Sequence, residues 1–135
     1  MEQNTLDTKS LILRFLETLG TGDADQIAAL FADDVDWSVA GNGDLPWVGR
    51  RSQKAHVADY FRTMWSQFAG AGTAVVHSVL VDGHSGVVFA TIANASVATG
   101  RSFETPVAMH FEASAGEIVK LHLYEDSWAV SNAFV

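Results

Sequence analysis

Two acids stand side by side near the end of the chain, Glu125 and Asp126, at the close of the apolar alternation in "LHLYED". A carboxyl group held against an apolar wall has a raised pKa, because burial disfavours its charged form. It can then transfer protons near neutral pH. Four aspartates fall in a second stretch, "FADDVDWSVAGNGDLPWVGR" over residues 31–50, with two tryptophans and three glycines. That stretch reads as a catalytic loop, a ligand lid, or a helix end turning into a strand. Five histidines (His56, His77, His84, His110 and His122) raise the question of a metal, but they form neither an HxH nor an HExxH pattern, so no metal site is expected. There is no cysteine, which excludes disulfides, thiolate zinc sites and a cysteine nucleophile. The segment "GNGDLPWVG" has no lysine of the kind a phosphate-binding loop carries.

A length of 135 residues suggests one domain over 1–135. With 48% hydrophobic and 18% charged residues, the chain can bury a real core. Eight Lys+Arg against sixteen Asp+Glu give a net charge of −8, which repels phosphate backbones and anionic lipid surfaces. Neither nucleic acid nor membrane is therefore expected as a partner. The start MEQNTLDTKS is polar and no apolar run approaches the roughly 20 residues of a membrane span. The expectation is a cytoplasmic protein.

The elements that must position the acids follow from periodicity. Leu6, Leu11, Ile12, Phe15, Leu16 and Leu19 recur at helical spacing, with Thr5 or Asp7 as the cap. A short second helix starts at Asp23, with Ile27, Leu30 and Phe31 as its apolar face, and Asp33 and Asp34 stop it. Val35, Trp37 and Val39 then alternate with Asp36 and Ser38, as in a strand. Residues 41–49 form a loop. A third helix spans roughly Ser52 to Phe68, with Val57, Phe61, Met64, Trp65 and Phe68 as its buried stripe and Tyr60 beside it. From there the chain is strand-like to its end: Thr73–Val81, Val87–Ala98, Phe103–Glu112 and Ile118–Asp126, punctuated by Asp82-Gly83, Thr99-Gly100 and Ala115-Gly116. Helices before an antiparallel meander predict an α+β domain. One strongly curved, mostly antiparallel sheet would wrap the N-terminal helices and leave a cone-shaped space.

The segments "LGTGDADQIAALFADDVDW", "VGRRSQKAHVADYFRTM" and "VAMHFEASAGEIVKLHLYED" resemble the nuclear transport factor 2-like superfamily, in its SnoaL-like and ketosteroid isomerase-like branches. The resemblance covers nearly the whole chain and implies the cone fold, but it does not choose a reaction. It makes "FADDVDW" the exit from the second helix into the first strand, with Asp33 and Asp34 as turn residues. It puts loop 41–49 at the mouth of the cone, where Trp47 lines it and Asp44 is either a mouth carboxylate or solvated. A ketosteroid isomerase needs a carboxylate base, a tyrosine and a protonated aspartic acid. Aligned without gaps, those roles fall on Val39, Phe15 and Val107, all apolar, so steroid isomerisation of that type is not expected. Asp36 belongs to the opposite face of the strand. The Asp–Arg–Asp arrangement of the superfamily's epoxide hydrolases finds only Arg101, in a hairpin turn, and Leu123.

Alternation combined with the same alignment points Phe103, Thr105, Val107, Met109 and Phe111 into the cone, with Ile92, Asn94 and Ser96 on the strand before and Val119, Leu121, Leu123 and Glu125 on the last. The resemblance thus implies a pocket walled by Phe15, Trp37, Val39, Trp47, Phe61, Trp65, Met109 and Phe111, with Asn94, Thr105 and Glu125 as its polar exceptions. Glu125 lies in the cone or in solvent at the strand's open end. Asp126, in the "YxD" pattern of SnoaL-like proteins, turns inward only if a bulge shifts the strand. Asn94 orients a ligand or bonds a neighbouring strand. The reading is a binder of a small, largely apolar molecule with cofactor-free acid–base chemistry (isomerase, cyclase, dehydratase or hydrolase) through Glu125 or Asp126. The alternative is a non-catalytic binding or dimerisation domain. His110 and His122 are expected on the outward sheet face, where the superfamily commonly forms a homodimer.

Overall fold

The computed structural model describes residues 7–135. Leu6 and Thr5, placed above on the first helix and its cap, lie outside the described residues. Asp7 caps that helix, α1 (Thr8–Leu19), its carboxylate accepting the Ser10 N–H at 2.7 Å. Leu11, Ile12 and Phe15 form the buried stripe of α1. Helix α2 (Ala24–Ala28) is a single capped turn, with Asp23 accepting the N–H groups of Asp25 and Gln26.

Strand β1 (Phe31–Val39) begins earlier than the pattern predicts. Phe31 belongs to it rather than to the face of α2, and Asp33 and Asp34 are exposed strand residues rather than turn residues. The physical reason is pairing: Phe31 stands opposite Ile118 and the Leu30 carbonyl accepts the Ile118 N–H at 2.9 Å, so these backbone groups are bonded only in the extended chain. The acids sit at an irregularity in that ladder and point to water.

Loop 40–48 leads to a short strand, β2 (Gly49–Gln53), whose sequence GRRSQ gives no apolar alternation. Helix α3 (Lys54–Gln67) follows, buried through Val57, Ala58, Tyr60 and Phe61; Met64 and Trp65 are partly buried against the core. Then come β3 (Thr73–Asp82), β4 (Ser85–Ala95), β5 (Ser102–Ser114) and β6 (Glu117–Glu125), the expected antiparallel meander. The chain does not end as a strand: α4 (Ser127–Phe134) closes it.

The curved, mostly antiparallel sheet runs β2-β1-β6-β5-β4-β3, with β1 parallel to β6. Helices α1 and α3 fill its inner face. Phe103, Thr105, Val107, Met109 and Phe111 are all buried there, as alternation requires. On β6, Val119 is the inward expectation that fails. It is the extra residue of a bulge between the pairs Glu112–Lys120 and Ala113–Ile118, so Ile118 takes the core position instead. At the far edge, β3 exposes Val75, Val76, Leu80 and Val81.

Candidate functional site

Glu125 ends β6 opposite Val107, on the face that carries the buried Leu121 and the partly buried Leu123. Burial there pushes its carboxyl up to about 7, and the neighbouring Asp126 charge adds to the shift. Tyr60 reaches the same region from α3. It is 4% exposed, and burial first, then the Glu125 charge, hold its phenol well above the ordinary tyrosine range. Tyr60 therefore stays protonated and available as a donor. The Arg51 guanidinium lies over the Tyr60 ring at 5.2 Å from its centroid, anchored by donation to the Trp47 and Pro46 carbonyls at 3.0 and 3.3 Å. Trp37, two strands from β5 and 2% exposed, stands edge-on to Tyr60 with ring centroids 4.7 Å apart.

An acid with a pKa near 7, a neutral phenol and an anchored cation can move a proton and support an oxyanion without a cofactor. Among the described residues, no group of three His, Asp or Glu side chains comes together to hold a metal.

The expected wall residues do come together on the inner face, but against one another. Phe15 meets Phe111 at 5.2 Å and Phe61 at 6.4 Å, Phe61 meets Trp37 at 5.9 Å and Trp65 at 5.3 Å, and Val39 and Met109 are buried beside them. The cone is therefore filled with rings in this structure. Its mouth is covered too. Leu45 and Trp47 turn inward from loop 40–48, and Phe134 of α4 packs on Trp47, Phe68 and Phe103 with centroids 4.8, 5.8 and 5.9 Å apart. Asn42 donates to the Ser131 hydroxyl at 2.9 Å, tying loop to helix.

The other proposed polar residues have local partners. Asp126 is exposed and is the N-cap of α4, accepting the Ala129 N–H at 3.1 Å; its helix, not a bulge, decides where it points. The Thr105 hydroxyl donates to the Pro106 carbonyl at 3.0 Å and accepts the Asp126 N–H at 2.9 Å, so it fixes the β6–α4 junction. Asn94 donates to the Gly70 carbonyl at 3.0 Å, holding the loop after α3 rather than a neighbouring strand. It is paired with Phe103, four positions along β5 from Val107, the partner of Glu125, so the two do not meet. Asn94 borders an open surface cleft of about 670 Å³, with Gly70, Gly72, Phe103 and Glu104. A second open cleft, about 460 Å³, lies between Val35, Asp36, Arg50, Arg51, Ser52 and His56. Asp44 is exposed, as a solvated residue is.

Sequence reasoning did not single out Tyr60 or Arg51 as candidates. The signal for Tyr60 was a phenol in the apolar stripe "YFRTMW"; Arg51 had none, because β2 itself was not visible. Asp36 lies on the outer face, as its register demands. There it bonds His122, and His110 stands directly across from His122.

The chain matches the SnoaL-like domain over residues 12–121 and belongs to that family, within the nuclear transport factor 2-like superfamily. Among solved structures it is similar to an NTF2-like protein from Burkholderia thailandensis E264, with TM-score 0.87 and 19% identity over 97% of this chain and 99% of that one. It is also similar to TerC co-crystallized with polyporic acid, with TM-score 0.82 and 16% identity over 93% and 96%. A third likeness is a protein of ketosteroid isomerase-like fold from Catenulispora acidiphila DSM 44928 in complex with trimethylamine, with TM-score 0.77 and 11% identity over 95% of each chain. These likenesses establish the cone fold. Among curated proteins none matches the sequence. No helix among the described residues is long and apolar enough to cross a membrane.

Proposed function

We propose that this SnoaL-like domain binds a small, largely apolar organic molecule at the wide end of the cone and performs cofactor-free acid–base chemistry on it, with Glu125 as the proton-transfer group. The observation that carries the reading is a carboxyl on the inner face whose burial lifts its pKa to about 7. Tyr60 supplies a neutral phenol in the same core that feels the Glu125 charge, and the aromatic rings supply the dry wall. TerC, co-crystallized with polyporic acid, and the Catenulispora protein, in complex with trimethylamine, support a small-molecule ligand for this fold. Entry requires Phe134 and loop 40–48 to move aside. Asp126, as a helix cap, is the weaker of the two acids for this role.

The test is turnover. Small lactones, epoxides and enones are offered to the wild type and to Glu125→Gln, with products followed by NMR. The reading expects at least one class to be converted by the wild type and at least about a hundredfold slower by the variant. Equal turnover in a folded variant sinks it.

The ring contacts that fill the cone favour a second reading, a non-catalytic dimerisation domain. On the outer face Phe89, Ala108 and Tyr124 lie in one row across three strands, and Phe89 and Tyr124 are exposed, as is Leu80. A second copy covering this row is the homodimer both readings expect. Wild type dimeric in sedimentation, Phe89→Asp monomeric, and no binding of any compound would favour this alternative.

A further inference from the structure

We infer that the indole N–H of Trp37 is the recognition donor of the cone, and that its ligand is a neutral molecule carrying an acceptor oxygen, a carbonyl or ether, on an apolar framework. The inference rests on the binding reading above and names the ligand class for that same site.

The Trp37 Nε1 is the one buried side-chain nitrogen or oxygen among the described residues that lacks a hydrogen-bond partner. Native interiors satisfy almost every such group, because a buried donor without an acceptor loses its hydration and gets nothing back. Elsewhere in this interior the rule holds: the buried hydroxyl of Thr105 is fully engaged, and that of Thr8 donates to the Gly83 carbonyl at 2.8 Å. The orphan is not required for packing. The Trp37 ring contacts Phe31, Tyr60 and Phe61 at 5.7, 4.7 and 5.9 Å, which are contacts a plain hydrocarbon ring also makes. An indole N–H can only donate, so its missing partner is an acceptor.

The surroundings narrow the class. An ammonium ion, the form an aliphatic amine takes near neutral pH, has no lone pair to offer an N–H. A carboxylate ligand would have to shed its water against the aromatic walls around Trp37. A neutral carbonyl or ether oxygen accepts one hydrogen bond and leaves the rest of the ligand apolar, which fits both the orphan donor and the rings.

The test uses acetophenone and α-methylstyrene, which share a shape but differ in C=O against C=CH₂, with the full chain. Calorimetric titration should show the wild type preferring acetophenone about tenfold, consistent with one buried hydrogen bond. Trp37→Phe should bind both compounds with the α-methylstyrene affinity. Because that variant can disturb the ring cluster, the wild-type indole ¹⁵N–¹H resonance of Trp37 is followed as well; acetophenone should move it downfield and α-methylstyrene should not. Both probes binding the wild type equally overturns this inference alone. A preference that survives in a folded Trp37→Phe overturns it too, as does a Trp37 resonance that contacts bound water and ignores both probes. Neither probe binding at millimolar concentration removes the binding reading itself, and this inference with it.

Discussion

The His122 imidazole and the Asp36 carboxylate meet at 2.8 Å on the outer sheet face, Nε2 to Oδ1, joining β6 to β1. Arg50 adds a second contact to the same Asp36 oxygen at 3.2 Å. The His122 hydrogen bond is the main reason the Asp36 carboxyl ionises below its ordinary value. A carboxyl depressed in the folded state contributes stability above its unfolded pKa, and that contribution fades as pH falls through the lower folded value. Asp36→Asn is expected to cost about 0.5 kcal/mol at pH 7, given the exposure of the pair, and nothing in strong acid. Urea melts at pH 7 and pH 2 check this; an equal loss at both pH values contradicts it.

Glu125 has the opposite sign. Its folded pKa, about 7, lies above the ordinary 4.5, so between these values the folded chain keeps a proton that the unfolded chain has released. Stability therefore falls as pH rises across that window and stays low above it. The loss is at most on the order of 3 kcal/mol, at about 1.4 kcal/mol per pKa unit. Glu125→Gln should flatten the dependence, and the difference between variant and wild type in chemical melts at pH 4.5 and pH 8 is the measurement. A constant difference places Glu125 in solvent.

Asp126 and Glu125 separate by substitution. Asp126→Ala removes the cap of α4 and should cost about 1 kcal/mol. Asp126→Asn retains a capping side chain but removes a negative charge beside Glu125, so the Glu125 midpoint in a carboxyl ¹³C titration should move to lower pH. An unmoved midpoint means the two acids do not feel each other.

The β5–β6 turn pairs Ser114 with Glu117 around Ala115 and Gly116, with φ of 53° and 78°. Two successive left-handed residues make the turn whose favoured sequence is Asn-Gly, and an alanine is out of place at its first position. Ala115→Asn should raise stability by roughly 0.5–1 kcal/mol, read as a higher melting temperature. A lower one rejects the turn assignment.

The meander was legible because its strands alternate and its turns are marked by glycine. Phe103 to Phe111 faces inward residue by residue as the pattern says. Elements without such a signal were missed. β2 is two arginines among polar residues, with no apolar alternation to mark its pairing to β1. α4 was lost because "SWAVSNAF" has no single apolar period, and its start depends on a capping carboxylate that read as a catalytic one. The filled cone was also beyond reach, since periodicity says which face a ring occupies but not whether the opposing rings touch. The influence of the Glu125 charge on Tyr60 runs between β6 and α3, and alternation on one strand carries no information about the helix above it.

The last strand made is an interior one. β6 lies between β1 and β5 and supplies the neighbour that each of them lacks. On the ribosome β1 has β2 for a neighbour on one side, and its other edge stays open until residues 117–125 emerge. Completion of the sheet therefore waits for β6, and its rate is set by a contact between distant parts of the chain. Truncation before residue 117 should yield a sticky, chaperone-dependent fragment rather than a smaller cone.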